Sequence, residues 1–297
     1  MNFRSTFLSL AAGLLAATPL LAQPSATFRP QLLERVSTSY SYSSDESLDR
    51  NGAAGSVAVS RYELSLSGRL PLSETDLFAY GLDYSTNQLD LAAGTPLPDQ
   101  LSELSLNLGF TRKFSPQWTA SAYLRPGFYG DFEDIDSKSF NVPLLLTAGY
   151  AQSRELIWLF GLNVNAYSDN PVIPIVGVRW QFAPDWTFNV GFPRSGVSYK
   201  LSDTVTLNAG VTFQGGTFRI TENLGTRPGM TGRLANTFVD YREIRAGISA
   251  DVKLNTGWAF SVDVGSMTDR KFDYFDRDYI LNGDAGFYGT LSLRASF

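Results

Sequence analysis

Imidazole and thiolate carry most neutral-pH acid–base catalysis and transition-metal binding, and this 297-residue sequence has neither histidine nor cysteine. Ser-His hydrolysis and Asp-His proteolysis therefore lack their base. Zinc loses both of its preferred ligand types, and neither a disulfide nor a lipoprotein anchor can form. No glycine-rich segment follows a strand pattern and opens a helix, as a phosphate loop would. Asp134 and Asp136 are paired carboxylates, but they sit in an acidic stretch where solvation accounts for them. The sequence thus predicts no catalytic residue, no metal, no cofactor and no enzyme.

What remains is charge, in three sets. Arg61, Glu63, Asp83, Arg125, Glu243, Arg245, Asp251 and Asp263 lie in segments where polar and apolar residues alternate, on the polar side. Arg35, Arg69, Lys113, Arg179, Lys200, Lys253 and Arg294 recur a few residues from short turns or from the ends of the alternating region. Acidic residues gather in long polar stretches: Asp45, Glu46 and Asp49, then Asp131, Glu133, Asp134 and Asp136, then Asp269, Asp273, Asp276 and Asp278. Hard cations bridging these acids to each other or to lipopolysaccharide phosphates are one reading, and solvated loops are the other. A net charge of -5 argues against a nucleic-acid surface.

The elements that must hold these residues repeat every second position. In Ala285–Phe297 the odd positions are apolar or small and the even ones mostly polar, a pattern that a strand places on two faces and a helix scatters. A strand ending on an aromatic, here through Phe287, Leu291, Leu293 and Phe297, is similar to the closing strand that the barrel-assembly machinery of bacterial outer membranes reads. Tyr62 to Leu70, Phe78 to Tyr84, Leu104 to Phe110 and Leu156 to Ala166 repeat the alternation. Short turns near 71–76, 115–117, 152–155, 183–185, 201–204 and 255–257 separate them. Long polar connections are expected near 43–55, 88–100, 131–139, 214–238 and 267–284, all at the other end.

This is the plan of a transmembrane antiparallel up-and-down β-barrel with short periplasmic turns. The segments sum to about fourteen strands, or twelve if the stretch Phe192–Gly196 is a folded-in loop. Residues 1–22 read as a signal peptide, with an apolar run too short to span a bilayer, and 23–297 as the barrel. Prolines are expected only in turns or at strand ends, because the barrel wall has no edge to hide a missing N–H. Trp118, Trp186 and Trp258 each follow a short turn, marking an interfacial girdle.

The run Pro193 to Ile220 resembles an uncharacterised, domain-of-unknown-function family of Gram-negative outer-membrane β-barrels. The residues that carry it are Pro193, Arg194, Tyr199, Leu201, Ser202, Asp203, Leu207, Ala209, Gly210, Gly215, Gly216, Thr217, Phe218 and Arg219. The resemblance implies the fold and the outer membrane, and no activity. Gly215-Gly216 is expected to form a bulge or a bend. The alternating charges are assigned to the lumen, and the turn-proximal cations to a positive periplasmic rim that favours anions. The expected function is a passive or weakly selective porin-like channel for small solutes. A transporter of hydrophobic solutes and a non-conducting structural or adhesive barrel are the alternatives. Lipid, lipopolysaccharide and the assembly machinery are the expected partners, nucleic acid is not, and the oligomeric state stays open.

Overall fold

The computed structural model describes residues 33–50, 52–191, 194–224 and 234–297, so the expected leader lies outside it. Alternation becomes strand throughout: β1 (Arg35–Asp49), β2 (Ala53–Pro71), β3 (Asp76–Leu91), β4 (Gln100–Lys113), β5 (Trp118–Leu124), β6 (Gly127–Gly130), β7 (Phe140–Asn141), β8 (Leu144–Ala151), β9 (Leu156–Val164), β10 (Val172–Ala183), β11 (Trp186–Val190), β12 (Ser195–Lys200), β13 (Val205–Ile220), β14 (Thr237–Lys253), β15 (Trp258–Tyr274), β16 (Tyr279–Gly283) and β17 (Gly286–Ser296). β1 pairs with β2 on one side and with β16 and β17 on the other, so the sheet closes. β5 and β6 lie end to end against β4, as do β7 and β8 against them, and β16 and β17 against β15. The wall is therefore a closed antiparallel barrel of 14 strands. β11 and β12 are paired wall strands, which removes the twelve-strand alternative.

Five of the short turns share one construction. The second turn residue turns its side-chain oxygen back onto two backbone N–H groups: Ser73 accepts from Thr75 and Asp76, Ser115 from Gln117 and Trp118, Ser153 from Glu155 and Leu156, Ser202 from Thr204 and Val205, and Asn255 from Gly257 and Trp258. Such side-chain turns satisfy donors that no strand partner reaches. By the usual build of these barrels this end faces the periplasm. Trp180, Phe182, Trp186 and Tyr199 stack in series beside it on the outer surface, with ring centroids 4.6 to 6.3 Å apart.

The long connections are shorter than the sequence suggests, and this is the main correction to it. β1 and β2 run through 43–49 and 53–55, β3 reaches Leu91, β13 reaches Ile220, and β15 with β16 covers most of 267–283. These stretches look like loops because their polarity is inverted. Near the periplasm Tyr62, Leu64 and Ile248 are exposed outward, whereas at the far end Val57, Val59, Val239, Tyr241, Phe272 and Tyr274 are buried inward. There Asp240, Arg242, Lys271 and Asp273 occupy the outer face. Where the wall leaves lipid, its outside meets water and the apolar residues move indoors.

Two smaller expectations also change. Pro126 and Pro143 lie part-way along wall strands and not at their ends, at the breaks between β5 and β6 and between β7 and β8. Their carbonyls still accept, from Leu106 N and Arg125 N. Pro174 lies within β10, opposite Leu162. At Gly215-Gly216 the β13–β14 register is continuous, so there is no bulge in that ladder. Gly215 instead has φ 144°, and a Cβ there would strike the Tyr241 carbonyl. Gly215→Val is expected to cost about 1–3 kcal/mol, read as unfolding at lower urea in detergent micelles.

Candidate functional site

The inward face of the wall has three layers. The first, at the periplasmic end, is a vestibule of half-buried hydroxyls and amides, among them Ser39, Ser65, Thr111, Ser121, Ser198 and Asn208. Strand alternation puts them there, opposite the outward Leu and Tyr residues.

The second layer is a lattice of ion pairs. Glu243, fully buried, takes Arg270 Nε at 2.8 Å on one oxygen and Arg245 Nη2 at 2.7 Å on the other. Arg245 also donates to Ser41 and Ser43 at 2.8 Å, tying β14 to β1 across the lumen. Arg61 bridges Glu63 at 2.6 Å and Asn87 at 2.9 Å. Arg125 pairs with Glu103 and lies 3.7 Å from Asp83. Arg194, at the tip of the β11–β12 hairpin, reaches inward to Asp263 and to Ser249 at 2.9 Å. Asp251 accepts from Asn208 at 2.8 Å. All eight charges assigned to the lumen from sequence lie on inward registers, and seven of them join this lattice as ion pairs, with Asp251 held by an amide. Glu103 and Arg270 were missed. Arg270 carried a signal, since it alternates in phase with Phe272 and Tyr274.

The third layer is apolar. Leu48, Val57, Leu89, Leu101, Phe218, Tyr241 and Phe272 of the strands pack with Leu97, Leu224 and Leu234 from inturned connections, and all are buried. The outer lumen is therefore filled among the described residues.

The wall also changes girth. β12 pairs with β13 only up to Val211, and β11 with β10 only up to Val178. Above them β13 meets β6 directly, Arg219 opposite Gly130 in parallel. The outer part is thus closed by β13, β14, β15, β16, β1, β2, β3, β4 and β6 alone. Above the hairpin, residues 172–177 of β10 and 212–218 of β13 each keep a ladder on one side only among the described residues, and the seam lies between these two unladdered edges. The β9–β10 connection straps the top of this seam: Asn165 donates to Thr217 at 3.3 Å, Ser168 to Asp240 at 3.1 Å, and Tyr167 stacks on Phe238.

The turn-proximal cations all fall on inward registers at the periplasmic rim. Arg69 pairs with Glu34 and Lys200 with Asp203, each at 2.6 Å. The acidic stretches are largely engaged within the protein. Asp131 accepts from the backbone of Thr221 and Glu222, and Asp136, Asp269 and Asp273 pair with Arg219, Arg242 and Lys271. Among the described residues no group of three or more acidic side chains is placed to hold a metal ion.

A profile of the family described as a domain of unknown function, DUF6268, matches residues 31–280. The chain belongs to that family. No curated protein sequence matches it. Among solved structures, this DUF6268 chain is similar to the COG4313 outer membrane channel from Pseudomonas putida F1, at 11% identity and TM-score 0.50, over 93% of this chain and all of that one. A FadL homologue from Pseudomonas aeruginosa (12%, TM-score 0.46, 89% and 90%) and the NanC porin (10%, TM-score 0.41, 88% and 100%) follow. The likeness is one of fold, that of outer-membrane channel barrels.

Two outcomes follow from the layers. Glu243→Gln leaves two buried guanidiniums without their counter-charge and is expected to cost about 3–5 kcal/mol, measured by urea unfolding in micelles. In the external connection, desolvation raises the Asp136 pKa, but the hydrogen bond and charge of Arg219 and the N–H groups of Lys138 and Ser139 outweigh it and hold it below the usual value. A lowered folded pKa means the clamp is fully present above about pH 4 and fades as pH falls through that lower value. Hydrogen exchange of residues 132–138 should accelerate over that range, and Arg219→Gln should make it fast already at pH 7.

Proposed function

We propose that this barrel is a channel for small apolar or amphipathic solutes, closed to ions at rest, whose path runs between the vestibule and the outer leaflet through the seam of β10 and β13. The observation that carries it is the unpaired seam beside a filled outer lumen. In hydrocarbon an open strand edge has no water to satisfy it, so a barrel keeps one only where something other than bare lipid meets it. On its β10 margin the seam turns apolar side chains outward: Val172 and Val176 are 57% and 65% exposed. Its inner margin offers the apolar side chains of Ile173 and Ile175 on one side and the bare backbone of Gly215-Gly216 on the other.

The straight-through porin reading expected from sequence makes the opposite prediction, because it needs the apolar layer to part. Reconstituted protein should give no steady ohmic steps in planar bilayers. The native chain has no cysteine, so a single Thr212→Cys, inward beside the seam, can carry a fluorophore. Lipid brominated on its acyl chains should quench that probe, while one on Asn208→Cys, behind paired wall, stays bright. Large steady conductance would restore the porin, and equal brightness of the two probes would remove the sideways path.

A further inference from the structure

The charges of the lumen divide sharply. In the ion-pair layer Arg61, Arg125, Arg194, Arg245 and Arg270 each hold a carboxylate. At the rim, Arg35 and Arg294 form no ion pair among the described residues, although both point into the lumen. They are also neighbours. Arg35 stands opposite Ser296 of β17 and Ser67 of β2, which puts Arg294 and Arg69 on its two diagonals, about 7–8 Å away between backbones and within reach of long side chains. The charges of both bear on Arg35, and the Glu34 carboxylate, which pairs with Arg69, offsets them in part. Arg35 is half-buried, and its Nε is out of reach of solvent with no hydrogen-bond partner.

Three guanidiniums on one diagonal exceed what the single Glu34 carboxylate offsets, and the fold does not need them. Serine or threonine at these inward positions would close β1 on β17 and β2 equally well, as Ser37, Ser39 and Ser41 do further up. A basic side chain that merely reaches for water has no reason to bury its Nε. We propose that Arg35 and Arg294, flanked by Arg69 in its pair with Glu34, form a site for a small oxyanion, a phosphate or carboxylate group, at the inner mouth of the lumen beside the β1–β17 closure. Guanidinium forks match two oxygens of such a group at once, and the anion relieves the repulsion among them. Because all three point away from lipid, the ligand is a soluble anion of the vestibule and not a headgroup of the inner leaflet. The site stands independently of the sideways path, since binding at the mouth needs no conduction.

The test is calorimetric titration of the folded protein with inorganic phosphate at low salt, in a zwitterionic detergent. Saturable binding is expected. Arg35→Gln and Arg294→Gln should each weaken it about tenfold. Arg35→Lys, which keeps the charge and loses the fork, should fall between. Lys200→Gln, whose ammonium is already taken by Asp203, should leave binding unchanged. Heat-modifiable migration on gels reports whether each variant is folded, and Arg35→Lys with Arg294→Gln carries the test if Arg35→Gln is not. Absence of saturable binding by the wild type, or equal binding by the folded variants, overturns the site. Repeating the titration in nanodiscs with and without phosphatidylglycerol separates the sources: phosphate affinity lost only when that lipid is present would place a headgroup there and overturn the assignment to a soluble anion.

Discussion

A backbone in hydrocarbon must find every hydrogen bond within the protein, and this one requirement shapes the barrel. It explains why β1 meets β17 over nine consecutive residue pairs. It also explains why the breaks at Pro126 and Pro143 still present carbonyls to neighbouring N–H groups, and why the turns recruit a serine or asparagine oxygen where ladders end. The same requirement gives the β10–β13 seam its meaning, as the place in the described wall where the rule is relaxed. Strain at Gly215 and the strap made by residues 165–171 both adjoin it.

A second constraint acts along the strands. Long strands such as β2, β14 and β15 cross two solvents, and their inward and outward faces exchange polarity on the way. The ion-pair layer sits at the exchange. Arg245, Glu243 and Arg270 separate a wet vestibule below from an oil-like layer above, so their buried charges are matched among themselves. Such a lattice adds little net stability compared with apolar packing, but it ties β14, β15, β1 and β2 into one register.

Much of this was legible in the sequence, and the failures have physical causes. Period-two alternation around Leu156–Leu162 and tryptophan after short turns gave the barrel and its periplasmic end. Inward parity of Arg61, Glu243 and the rim cations followed from counting. The outer halves of β1, β13 and β15 read as loops because a polar outer face mimics a loop's composition. An inward phase of Val57-Val59, Val239-Tyr241 and Phe272-Tyr274 was there to be found. The pairing of Arg245 with Ser41, 204 residues apart, and the meeting of β6 with β13 are tertiary events with no local trace. Zero histidine and cysteine removed imidazole- and thiolate-based chemistry before any fold was known, since an absent side chain needs no fold to interpret it.

The uneven wall has a consequence for the lipid around it. β11 and β12 contribute five and six residues, about 17–20 Å of strand at 3.3 Å per residue before tilt. On the opposite side, β1 and β2 run 15 and 19 residues. A bilayer meeting the short side must thin to cover it, at a modest cost for each ångström of mismatch. The membrane around this barrel is therefore expected to be lopsided, its outer headgroups dipping toward the tip of the β11–β12 hairpin. A trough of that kind would draw flexible, short-chain or disordered lipids to one flank of the protein and orient neighbouring barrels around it.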